Sequence, residues 1–166
     1  MRLDLGPILQ VPGGRIPFSF TLDLSALDFY GEHPFRAPVT ASGEVRNEAG
    51  ALMLGARIEA ELSLRCDRCT KPFVRRKTAE VTQLLAETLE NEEENDILLL
   101  EDGTLDLGEL VTTALILEMD TKNLCSEDCK GLCDRCGKDL NEGPCGCRKE
   151  SDPRLAALAA LLSDGD

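Results

Sequence analysis

Tryptophan is absent from this chain, and tyrosine and histidine each occur once. Aromatic residues make up only 4% of the sequence, so a core has to be assembled from Leu, Val, Ile and Ala. No stretch approaches the roughly 18 consecutive apolar residues that a membrane-spanning helix needs. The opening, Met1-Arg2-Leu3-Asp4-Leu5-Gly6-Pro7, lacks the unbroken apolar centre of a secretory signal. Basic side chains are missing altogether between Thr78 and Thr121. The net charge of −13 repels nucleic acid as a whole and favours basic partners, unless positive charge is gathered locally. A cytoplasmic protein is the expectation, and there thiols stay reduced.

What the chain has in quantity is cysteine. Six of its eight cysteines fall between Cys125 and Cys147, and the other two form the pair Cys66 and Cys69. In a reducing compartment such a set points to metal before disulfides. The single histidine, His33, lies in an irregular stretch broken by Gly31, Pro34 and Pro38, and reads as a surface-loop residue.

At 166 residues, 42% of them hydrophobic, the chain is long enough to bury a useful core in one domain. Residues 1–14 read as an extended arm ending in a turn at Pro12-Gly13-Gly14. Ile16, Phe18, Phe20, Leu22 and Leu24 then alternate with polar residues and proline, the period-two signature of a strand with one buried face. Val39 to Val45 and Leu52 to Leu64 alternate in the same way around the turn residues Asn47-Glu48-Ala49-Gly50, which predicts an antiparallel hairpin. A further strand over 73–86 would leave Cys66 and Cys69 on the turn between two strands, where both sulfurs point the same way.

Glu90 to Asp96 reads as an acidic loop, followed by a short apolar strand, Ile97 to Leu100. Asp106 and Glu109 have capping-box spacing, and Leu107, Leu110, Val111, Ala114 and Leu117 repeat at helical spacing. A helix over about 107–119 is predicted, packed on the sheet. Asp152-Pro153 marks the start of a short closing helix with an apolar stripe at Leu155, Leu158, Leu161 and Leu162. The fold class is therefore α+β. An antiparallel sheet, open or curled into a small barrel, occupies residues 1–121, and a cysteine-rich zinc-binding segment over 122–166 packs on it.

Zinc sites made of thiolates take four sulfurs in a tetrahedron, and pairs a few residues apart supply two ligands from one turn. Cys133 and Cys136, trailed by Gly137, form one such pair, and Cys145 and Cys147 form another. These four make the first predicted site. Cys125 and Cys129 with Cys66 and Cys69 make the second, which depends on a long-range contact. A single ion, with Cys66 and Cys69 as a free or redox-active pair, is the main competing partition, and other partitions among the six late cysteines stay open. Four-cysteine sites have no open coordination position, which makes them structural. Each would carry about −2, offset by cations such as Lys130, Arg135, Lys138, Arg148 and Lys149.

Several segments occur in a telling order: Arg65-Cys66-Asp67-Arg68-Cys69, Leu105-Asp106-Leu107-Gly108-Glu109-Leu110, Cys129-Lys130-Gly131-Leu132-Cys133, Cys136-Gly137-Lys138-Asp139-Leu140-Asn141 and Asp152-Pro153-Arg154-Leu155. Over roughly residues 45 to 162 the chain resembles the cysteine-rich form of the YceD family, bacterial large-ribosomal-RNA accumulation proteins. Asp134 stands where members often carry proline. The resemblance implies a cytoplasmic, non-catalytic protein that supports accumulation of large-subunit ribosomal RNA. Because members without the late cysteines exist, it also implies that those cysteines serve stability, while Cys66, Arg68 and Cys69 carry what the family shares.

Three functions follow. A ribosome-assembly factor would grip precursor RNA phosphates with Arg65, Arg68, Lys71, Arg75, Arg76 and Lys77, or hold a basic ribosomal protein on its acidic stretch. The bland alternative for that basic run is a solvated strand face. A thiol oxidoreductase would use Cys66 and Cys69, with Arg65 and Arg68 lowering a thiol pKa, but the pair lacks the strand-to-helix setting of thioredoxin-like motifs. A zinc-ribbon adaptor would bind proteins only. None of the three needs a membrane or a small-molecule substrate.

Overall fold

The computed structural model describes residues 1–88 and 97–147. The acidic loop expected at 90–96 and the closing helix expected after Asp152 lie outside those residues. Five strands build the main sheet: β2 (Arg15–Leu22), β3 (Val39–Glu48), β4 (Ala51–Arg65), β5 (Pro72–Ala86) and β6 (Ile97–Leu99). They lie side by side in chain order, each antiparallel to its neighbour except β6, which runs parallel to β5. The sheet curls into an open half-barrel, which answers the question of closure.

The alternation anticipated in β4 is complete. Leu52, Leu54, Ala56, Ile58, Ala60, Leu62 and Leu64 are buried, and the residues between them face outward. Their cross-strand partners on β5, from Leu85 through Val81 and Ala79 to Phe73, share that inner face. Lys77 and Arg75 sit in the same row, opposite Ala60 and Leu62. The β3–β4 turn is two residues long, Ala49 at φ 55° and Gly50 at φ 100°, both in the left-handed region that suits the twist of a tight hairpin.

The concave face is filled by α2 (Leu107–Leu117), which buries Leu107, Val111 and Leu115. Its start is capped as expected: the Asp106 carboxylate accepts from the backbone N–H of Gly108 at 2.8 Å and of Glu109 at 3.2 Å. Phe35, from the irregular stretch after β2, is 1% exposed and completes the core at the far end. No helix among the described residues is long and apolar enough to cross a membrane.

The N-terminal arm differs from the extended arm anticipated for 1–14. β1 (Arg2–Asp4) pairs with β7 (Thr104–Asp106) in a separate two-stranded sheet, and α1 (Gly6–Leu9) is a single helical turn. The buried Asn47 anchors that turn, donating through Nδ2 to the carbonyls of Ile8 (2.7 Å) and Leu9 (2.9 Å).

Candidate metal centres

β4 and β5 converge on the loop Cys66–Lys71, and the loop closes on itself. The Cys66 N–H donates to the Lys71 carbonyl at 3.0 Å, and the Thr70 N–H to the Cys66 carbonyl at 2.8 Å. Thr70 takes φ 59° so that the chain can leave the turn. The later loop Cys133–Lys138 repeats this geometry. Cys133 N–H donates to the Lys138 carbonyl at 2.8 Å, Gly137 N–H to the Cys133 carbonyl at 2.9 Å, and Gly137 sits at φ 70°. The two hexapeptides, Cys-Asp-Arg-Cys-Thr-Lys and Cys-Asp-Arg-Cys-Gly-Lys, differ at one position. This internal repeat was in plain view in the sequence, and it says that two knuckles of one design sit in one chain.

Each knuckle gathers a second cysteine pair. Cys66, Cys69, Cys125 and Cys129 bring their sulfurs within 4.8 Å of one another, as do Cys133, Cys136, Cys145 and Cys147. Both groups match the sets anticipated from spacing, including the long-range one. Sulfur separations of 3.7 Å (Cys66–Cys129), 3.6 Å (Cys69–Cys125) and 3.4 Å (Cys133–Cys145) leave all eight thiols free of disulfides. Sulfurs placed tetrahedrally about 2.3 Å from a central ion would be roughly 3.8 Å apart. The donor set and its size therefore fit a thiolate-bound metal ion.

Electrostatics point the same way. Burial pushes the Cys66 thiol up, yet the backbone N–H groups of Cys125, Cys69 and Arg68 outweigh it and bring the pKa down to about 6. For Cys69 the Lys71 N–H pulls downward, but burial and the neighbouring sulfurs of Cys66, Cys125 and Cys129 push the thiol up to about 12. The second group repeats the split. N–H groups of Cys136 and Arg135 lower Cys133 to about 7, while Cys136, burial and Cys133 raise Cys147 to about 12. One thiolate forms readily in each group and its charge then opposes the next, so a cation is what lets all four ionise.

The two groups are tied together. Asp67 N–H donates to the Asn123 carbonyl at 2.8 Å, and Asn123 N–H returns to Asp67 Oδ2 at 2.6 Å, which lays the segment before Cys125 against the first knuckle. Arg68 Nη1 donates to the Cys129 carbonyl at 2.7 Å. Gly131 is buried at φ 75°, and a Cβ there would meet the Arg68 carbonyl at 3.0 Å. That close approach lets Leu132 N–H reach the same carbonyl at 3.1 Å. Lys71 Nζ lies 2.7 Å from Asp139 Oδ2 and 2.9 Å from Glu142 Oε1, contacts that hold its pKa above the usual lysine range. Asn141, from the 3-10 turn Leu140–Glu142, donates through Nδ2 to Cys129 Sγ at 3.5 Å.

These contacts redistribute the basic run. Arg68 and Lys71 reach the late segment. Arg75 Nη1 and Lys77 Nζ share Asp120 at 3.0 and 3.1 Å, and Arg75 Nη2 also donates to the Leu124 carbonyl at 2.6 Å. Arg65 and Arg76 face outward, and the Arg76 side chain is 90% exposed with Glu61 4.0 Å away. His33 donates to or accepts from no thiol among the described residues; its Nδ1 lies 3.0 Å from the Leu27 carbonyl. Arg148 and Lys149 lie outside the described residues.

A family model described as large ribosomal RNA subunit accumulation protein YceD matches residues 54–162, from within β4 through both thiol groups. The chain belongs to the YceD family. Among relatives, an uncharacterised protein of Mycobacterium tuberculosis is 33% identical over 117 residues, covering 68% of this chain and 56% of its own length. The YCED homolog 1 of Zea mays, named as a chloroplastic large ribosomal RNA subunit accumulation protein, is 25% identical over 97% of this chain and 66% of its own. YlbN of Bacillus subtilis, also uncharacterised, is 27% identical across 100% of this chain and 99% of its own. This YceD chain thus spans about half the length of the Mycobacterium tuberculosis and Mycobacterium bovis relatives it matches. No solved structure matches it.

Proposed function

We propose that this protein is a non-catalytic factor that supports large-subunit ribosomal RNA accumulation during ribosome assembly, and that each thiol group closes around one structural zinc ion. The YceD match carries this reading, because it spans both knuckles, β5 and α2 in a single stretch. Zinc supplies the cross-link, and with four thiolate ligands it keeps no position open for substrate. In this reading residues 1–121 form the sheet part and 122–166 the metal-closed part. It acts in the compartment where ribosomes assemble.

The residues themselves supply shape and charge. Arg68, Arg75 and Lys77 hold the late segment on the sheet, while Arg65 and Arg76 remain on the surface as the members of the basic run available to precursor RNA. The net charge of −13 favours a basic ribosomal protein as partner. Metal analysis of the purified protein should return about two zinc ions per chain, and one ion would discard the site that includes Cys66 and Cys69. The deciding experiment is recovery of the native protein with its partners, with and without ribonuclease. Large-subunit proteins or precursor ribosomal RNA should accompany it. Their absence in both arms would overturn the reading, and loss only after ribonuclease would assign the contact to RNA.

A further inference from the structure

The half-barrel does not close, and the gap is chemically specific. Between α2 and the last strands of the sheet runs a cleft of about 620 Å³. Its apolar lining includes Val81, Leu98, Leu99, Leu110 and Leu117. Leu117 is 80% exposed and Leu99 47%, although both belong to regular elements. Acidic residues stand around this lining: Glu80, Glu101, Asp106, Glu109 and Glu118. Arg2 is the one basic residue among those lining the cleft, and it is already paired with Glu101 at 3.4 Å and Asp106 at 3.9 Å. Glu109 and Glu118 have no ion-pair partner among the described residues. The rest of the described lining comes from Ala79 to Glu118, and Thr78 to Thr121 contains no lysine or arginine.

We propose that this cleft docks a basic amphipathic peptide segment of a protein partner, its apolar side chains on Leu98, Leu99 and Leu117 and its Lys or Arg residues on Glu109 and Glu118. Charge complementarity selects this occupant. An RNA strand would meet carboxylates at every edge, and a second copy of the chain would bring another −13 to an acidic rim. The apolar lining supplies the burial that makes contact worth more than exposed ion pairs alone. The inference deepens the assembly reading and rests on it for the partner's identity as a basic ribosomal protein.

The test uses the full zinc-loaded chain and a short fluorescent peptide of Leu and Lys in helical amphipathic order, followed by anisotropy. Leu117→Ser keeps every charge and should weaken binding roughly tenfold or more, as loss of a central apolar anchor does. Glu109→Lys with Glu118→Lys should weaken it by a similar factor and remove most of its salt dependence. The matching Leu/Glu peptide should not bind. Unchanged binding by Leu117→Ser would reduce the effect to non-specific charge and overturn the proposal. So would displacement of the peptide by ribosomal RNA fragments, or a dimer in light scattering that Leu117→Ser disperses. Ribosomal proteins recovered equally by the cleft variants would remove the cleft and spare the assembly reading. A cleft that binds the peptide in a protein that recovers no ribosomal component would do the reverse.

Discussion

Gly131 illustrates how much a single residue decides here. Its φ of 75° belongs to the region that side chains avoid, and the place its Cβ would occupy is 3.0 Å from the Arg68 carbonyl. Gly131→Ala should cost about 1–3 kcal/mol from left-handed strain. The same change should speed zinc loss to a chelator, because the knuckles are pushed apart. Denaturant unfolding beside chelator kinetics checks both, and an alanine variant with wild-type values would mean that the close approach is unimportant. Asp120 decides a different matter. Lys77 first and then Arg75 hold its carboxyl below the usual 3.8. A depressed pKa means that stabilisation is complete above the unfolded value and is lost as pH falls through the folded one. Asp120→Asn should therefore be less stable than the parent at neutral pH, with the difference shrinking once pH falls below the unfolded value of about 3.9 and vanishing only below the depressed folded one. A gap that persists in acid would show that the charge is not its cause. The pairing itself was legible in principle. Arg75 and Lys77 fall on the same parity as Phe73, Ala79 and Val81, so a period-two reading sends them inward and leaves Arg76 outside. Reading 65–77 by charge alone hides that division.

The strands and α2 were readable because each carries a period long enough to count. Thirteen residues of unbroken alternation in β4 and a carboxylate cap before the α2 stripe leave little competition for either assignment. α1 carries no such signal. Four residues cannot show a helical period, and this turn exists because Asn47 binds its last carbonyls while Leu5 and Ile8 are buried beside it. β6 was expected as a strand, but three residues say nothing about pairing, and its parallel course beside β5 is set by where the chain re-enters the sheet. Asn47 therefore ties an element that local sequence cannot specify to the hairpin turn that it can, accepting from Gly50 N–H at 2.8 Å on its other side. Ile8 keeps the Val11 N–H on its carbonyl, but Asn47→Ala would strip the amide from the Leu9 carbonyl and the acceptor from Gly50 N–H, at about 1–3 kcal/mol. The midpoint of urea unfolding should fall with the slope unchanged. A midpoint within error of the parent would show that water replaces the amide without loss.

At the scale of the molecule, the two thiol groups are arranged so that loading one should tighten the other. The first knuckle contributes the Arg68 carbonyl to Leu132 N–H and the Lys71 ammonium to Asp139 and Glu142. The 3-10 turn after the second knuckle returns Asn141 Nδ2 to Cys129 Sγ. Leu132, Asp139, Asn141 and Glu142 all lie within residues 131–142, the stretch that an ion at Cys133, Cys136, Cys145 and Cys147 would order. Without that ion the short loops have little apolar core of their own, since Cys136 is exposed and Cys145 and Cys147 are only half-buried. Ordering entropy would then be charged to the first site's contacts. Coupling of this kind is reciprocal and typically amounts to 5–150-fold in affinity. Cys136→Ser should therefore release an ion from Cys66, Cys69, Cys125 and Cys129 at least about fivefold faster than the parent releases it from the same site. Cys125→Ser should do the same to the second group. Because either change could unfold more than its own site, Lys71→Met with Asn141→Ala supplies the sharper comparison. That variant keeps all eight cysteines and should still bind two ions, yet its two release phases should become independent, each insensitive to loss of the other site. Equal first-site release in the parent and in Cys136→Ser would show that the knuckles, though in contact, exchange no free energy.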